Sequence, residues 1–193
     1  MQAQTQTAAA RQRTESLEQW LAHHPLLVPL HGMHTRVKEH YQLAAEAMTQ
    51  LIQAADHPNP KVRWFCAHEL DHLATDQSIA ALLKLTRDPV VKVRVEAVHA
   101  LGCERCKQCK LNVDMAALMI DFALHDPEEK VRGAALHTLG YLPADARIAA
   151  ALQQIIDDEA SSVQLRREAQ RKLKYHRGAT EVNHKQQDDK VAR

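Results

Sequence analysis

The chain has 193 residues, with 25 Lys and Arg against 24 Asp and Glu, for a formal net charge of +1. That balance gives no global pull toward nucleic acid or an anionic membrane, and no apolar run approaches the length of a membrane span. At 45% hydrophobic, 4% aromatic and five glycines, the composition is that of one Ala- and Leu-rich helical domain.

Residues 1–13 are polar and low in complexity, which predicts a disordered tail. The start, Met1 to Thr7, lacks the basic and apolar parts of a secretory signal, so a cytoplasmic location is expected. There the four cysteines are read as thiols or metal ligands rather than disulfides. Thr14 to Ala22 predicts a short helix with Trp20 and Leu21 on its apolar side, ended at His24-Pro25. Residues 34–55 predict a long helix, and 14–55 together the N-terminal cover of a stack.

From residue 56 the chain repeats itself. Val62-Arg63, Val93-Arg94 and Val131-Arg132 each open a segment with Ala or Cys four positions on, His six on and Leu eight on. Leu165-Arg166 opens a fainter fourth copy, and the anchors are spaced about 31, 38 and 34 residues. Val93, Ala97 and Leu101 fall on one helical stripe, as do Val131, Ala135 and Leu139. Ser78 to Thr86 and Met115 to Leu124 supply the partner helices. Asp88-Pro89 and Asp126-Pro127 precede the anchors, where Asp suits an N-cap and Pro a first helical turn. A single hairpin of this size cannot bury its apolar face, so hairpins must stack.

The run Asp88-Pro89, Val93-Arg94, Ala97, Ala100-Leu101-Gly102 resembles the HEAT-like repeats, including the short type found in phycobilin lyases. Asp126-Pro127, Val131-Arg132, Ala135 and Leu139-Gly140 carry the same resemblance. It implies an all-α, right-handed α-solenoid of about four helical hairpins with an N-terminal capping helix and its repeats over 56–175, while the polar composition of 176–193, ending in Asn183-His184-Lys185-Gln186-Gln187-Asp188-Asp189-Lys190, predicts a disordered tail. For function the resemblance implies a binding or scaffold module that meets a protein partner on its concave face. Oligomeric state is left open.

Chemistry enters where the copies differ. Leu70 to Asp88 and Leu139 to Asp157 are each 18 residues apart, but Leu101 to Asp126 is 25. The insertion, at about 103–113, holds Cys103, Cys106 and Cys109, and C-x2-C spacing aims two thiolates at one tetrahedral metal. His68, His99 and His137 share one repeat position. His72, Cys103 and Tyr141 share the position four residues later, on the same stripe. The expected zinc site therefore uses Cys103 and Cys106 as thiolates, His72 or His99 as imidazole, Cys109 as alternate thiolate, and His68 as ligand or neighbour of one. Iron is the alternative metal. Histidines kept by duplication for hydrogen bonding, and a pair of redox thiols, are the readings without a metal. Cys66 stands at a core position.

Two further functions stay open. His68-Glu69 is similar to the His-Glu pairs of HEAT-repeat deoxyhypusine hydroxylases, which would make the chain a non-haem metal enzyme. That family repeats the pair four positions earlier in the helix, where this chain has Trp64-Phe65, Val95-Glu96 and Gly133-Ala134. The last helix carries Arg166, Arg167, Arg171, Lys172, Lys174 and Arg177, a face able to meet phosphates as in HEAT-like DNA repair glycosylases. The repeated Arg63, Arg94, Arg132 and Arg166 are expected to pair with acids at the hairpin turns, such as Asp88 and Asp126.

Overall fold

A computed structural model describes residues 15–32, 42, 44–73, 75–103 and 111–191. Every regular element among them is a helix, and the chain divides into two compact units, Met1–Leu111 and Asn112–Arg193.

The first unit opens with α1 (Leu17–Ala22), started by a capping box in which Ser16 and Gln19 exchange side chain to backbone hydrogen bonds. Leu17, Trp20 and Leu21 are its buried face. The short α2 (Val28–Gly32) follows, an element the sequence did not predict. Of the long helix expected over 34–55, the part before residue 42 lies outside the described residues, and α3 (Met48–Ala54) is its packed end. Helix α4 (Pro60–Leu70) starts at Asn59, whose side chain accepts from the Lys61 amide while Pro60 takes the first helical position. Helices α5 (Asp76–Leu85) and α6 (Val91–Gly102) complete the unit. Helix α3 packs on α4 and α5 on α6, and α4 also packs against α6, as stacked hairpins require.

The second unit repeats the plan with α7 (Met115–His125) against α8 (Glu129–Leu139), and α9 (Ala146–Asp157) against α10 (Val163–Val191). Helix α10 runs past residue 175, where the composition led us to end the repeats. His176 shows why at its first turn beyond that point: it is fully buried, with Nε2 donating to the Leu139 carbonyl at 2.9 Å.

The repeated stripe is the core. Val62, Val93, Val131 and Leu165 are buried, as are Cys66, Ala97, Ala135 and Ala169 one turn on and Leu70, Leu101, Leu139 and Leu173 a turn later. Cys66 replaces alanine there, and burial, helped by Glu69, pushes its thiol far above the ordinary range. The turn aspartates act differently from the expected helix caps. Asp88 Oδ1 accepts from the Val90 amide at 2.8 Å and Asp126 Oδ1 from the Glu128 amide at 2.9 Å. Each closes a small side-chain turn ahead of its helix, and the residues at the caps are Val90 and Glu128.

Candidate metal centre

The second helix of each hairpin leaves one stripe clear of the core. His68, His99 and His137, the three copies of one repeat position, are all exposed on it. At the position four residues on, environments diverge: His72 is buried, Cys103 half-buried and Tyr141 exposed.

In the first unit α4 and α6 lie side by side, and the C-terminal ends of both contribute to one place. Asp71 is the C-cap of α4 and Cys103 the C-cap of α6, where the backbone leaves the helix at φ −80° and ψ 87°. His99 sits one turn before Cys103 on α6, and the Cys103 amide donates to its carbonyl at 2.9 Å. A carboxylate oxygen of Asp71, an imidazole nitrogen of His99 and the Cys103 sulfur all lie within 4.8 Å of one another.

Electrostatics at this point suit a cation. Helix C-termini carry partial negative charge from their terminal carbonyls, and here two such ends contribute beside a carboxylate and a thiol. Glu69, Asp71 and His72 are also all buried, an unusual density of polar side chains for the last turn of one helix. Burial and the charges of Asp71 and Glu96, opposed by His68, push the Glu69 carboxyl up to about 7.

Next to the triad lies a second polar group. Glu96 accepts from the Trp64 indole at 2.9 Å through Oε2 and holds His68 Nδ1 at 2.9 Å through Oε1. The Trp64 and His68 rings stack at 5.4 Å, and Lys92 Nζ stands 4.7 Å over the indole. This hydrogen bond raises the His68 pKa, against the effect of burial.

Of the residues singled out in the sequence, His99 and Cys103 come together. His68 is held by Glu96 and meets His72 ring edge to face at 6.4 Å, and neither histidine belongs to the triad. Cys106 and Cys109 lie outside the described residues. Asp71 was missed. Its signal was a departure from the repeat: the other copies carry Gly102 and Gly140 where this one has Asp71.

Stacked antiparallel hairpins, with a buried aliphatic stripe and an exposed stripe on the second helices, define the class of helical-repeat proteins. Residues 48–112, about a third of the chain, match the family model of HEAT repeats, which supports HEAT-like repeats in that segment. No curated protein matches the chain. Among the described residues no helix is long and apolar enough to cross a membrane.

Proposed function

We propose that the chain is a HEAT-repeat protein-binding module whose first unit is fastened by a zinc ion at Asp71, His99 and Cys103. The observation that carries this reading is the convergence of oxygen, nitrogen and sulfur donors from two helix ends. Zinc accepts all three donor types, whereas calcium and magnesium call for oxygen ligands and the iron facial triad for two histidines. Ligand atoms on a tetrahedral zinc stand about 3.5 Å apart, and the three donor atoms lie within 4.8 Å of one another.

The fourth ligand is Cys106, with Cys109 as alternate, because C-x2-C spacing from Cys103 suits a zinc knuckle. Such a closed site is structural and ties the insertion to the end of α6. His68 and His72 then stand beside the ligands, shaping the surface of α4 and α6 next to the ion. That exposed inner surface of the second helices, with Trp64, His68 and Lys92 on it, is the face offered to a protein partner. A reducing, cytoplasmic setting keeps the thiols available.

Metal analysis of protein prepared without a histidine tag tests the reading. It requires about one zinc per chain, lost in Cys103→Ser and His99→Ala and weakened in Asp71→Asn. Protein that carries no zinc after refolding with the metal overturns the site. Iron, with absorbance that responds to oxygen, would put a non-haem metal enzyme in its place.

A further inference from the structure

The second unit carries a groove of about 910 Å³ where α10 runs beside α9. It uses none of the triad residues. Its apolar lining is Ile156 of α9, half-buried, with Val163 of α10, 55% exposed, over the buried Leu173. Along it stand Arg167, Arg171, Lys174 and Arg177, all exposed. Their spacing of three and four residues places them on one helical face.

No carboxylate is among the described residues that line this groove. Arg171 pairs with Glu168, which also meets Lys172 at 3.5 Å, and Arg177 donates to Gln153 at 2.8 Å. One glutamate therefore answers part of the charge, and the face stays cationic in a chain whose formal net charge is only +1. A solvated helix surface normally mixes signs. Here the cations are gathered beside exposed apolar surface.

We propose that this groove binds an acidic amphipathic helical segment of a partner protein. The partner's apolar stripe covers the exposed Val163 and the half-buried Ile156 while its carboxylates meet Arg167, Arg171, Lys174 and Arg177. Helix-in-groove docking needs this combination of apolar floor and polar edge. A nucleic acid fits less well. Its phosphates would satisfy the cations but leave the floor uncovered, and the groove has no aromatic side chain on which a base could stack. The inference rests on the protein-binding role proposed above and names the class of partner.

The test uses the full chain and a fluorescent synthetic helix of about four turns, with leucine on one face and glutamate on both flanks. Two further probes are the same peptide with lysine for glutamate, and a short DNA duplex. Anisotropy is expected to show saturable binding of the glutamate peptide, weakened by salt, with the lysine peptide and the duplex far weaker. Arg167→Glu with Lys174→Glu should reduce affinity at least about tenfold. Val163→Ser, which removes apolar surface without adding charge, should weaken the peptide several-fold while leaving any duplex binding unchanged. All three positions are exposed, and circular dichroism checks the fold. Equal binding of both peptides, tighter binding of the duplex, or no response to charge reversal overturns the inference. Zinc content is read on the same samples. Peptide binding without zinc leaves the groove standing and removes the metal site, and zinc without peptide binding does the reverse.

Discussion

Arg63 of α4 reaches the turn of the following hairpin and grips Asp88, Nε donating to Oδ2 at 2.5 Å and Nη2 to Oδ1 at 2.9 Å. The side chains are 12% and 4% exposed, so this is a sheltered, two-pronged pair. Nη1 of the same arginine donates to the carbonyls of His57 and Pro58, at 2.8 and 3.1 Å. One guanidinium thus joins its own turn to the next and sets the angle between hairpins. Arg132 holds the Asp126 and Pro127 carbonyls in the same way, and at the following turn the Ser161 hydroxyl, the Ala160 amide and, to a lesser degree, the Arg132 charge hold the Asp158 carboxyl below its usual range.

Removing one member of the Arg63–Asp88 pair strands a buried charge. Asp88→Ala is expected to destabilise the protein by about 3 kcal/mol, and Arg63→Met by a similar amount. The double substitution should cost about 1–3 kcal/mol less than the sum of the two. Urea unfolding of the four proteins of this cycle provides the check, and strict additivity would show that the pair does not act as a unit.

His68 has its pKa raised, first by the hydrogen bond to Glu96, and its folded value therefore lies above the ordinary 6.5. A histidine raised in this way adds stability that is complete below the unfolded value and fades as pH climbs through the folded one. With the His68 side chain 47% exposed, that stability is small. Glu96→Gln should return the imidazole titration toward 6.5, as followed by NMR across neutral pH. An unchanged midpoint would mean that Glu96 does not hold His68 in solution.

Gly133 lies inside α8, and a methyl group built there meets nothing within 4 Å. Alanine in a helix interior restricts the unfolded chain and is favoured over glycine by about 1 kcal/mol. Gly133→Ala should accordingly raise the thermal midpoint by a few degrees. A midpoint at or below that of the parent chain would point to a backbone requirement at this residue.

Much of the fold was readable because the copies check one another. Three instances of Val-Arg with alanine or cysteine, histidine and leucine behind them located the core stripe, and the same alignment put His68, His99 and His137 on the open side. The link from Arg63 to Asp88 followed from their recurrence at helix starts and turns. Half of the candidate site was readable too, since His99 and Cys103 are a helical turn apart on one element. Asp71 was not, because a C-cap lies where the helical period fails and its side chain can turn toward a neighbouring helix. The role of Glu96 was not readable either. Its hold on Trp64 and His68 joins two helices, a relation that sequence spacing within one helix does not reveal.

The arginine grips also say where such a chain can be cut and rejoined. Arg63, Arg94 and Arg132 each donate to the carbonyl six residues before them, at 2.8, 3.0 and 3.0 Å. Turn and following helix are therefore welded into one piece. A graft or deletion with its junction between Asp88 and Arg94 would sever that weld and leave a half-sheltered guanidinium without its backbone acceptor. A junction inside α5 or α9, at the same phase of two copies, would carry each weld over whole. Chimeras that lengthen or shorten this array should recombine there, with the loops travelling along intact.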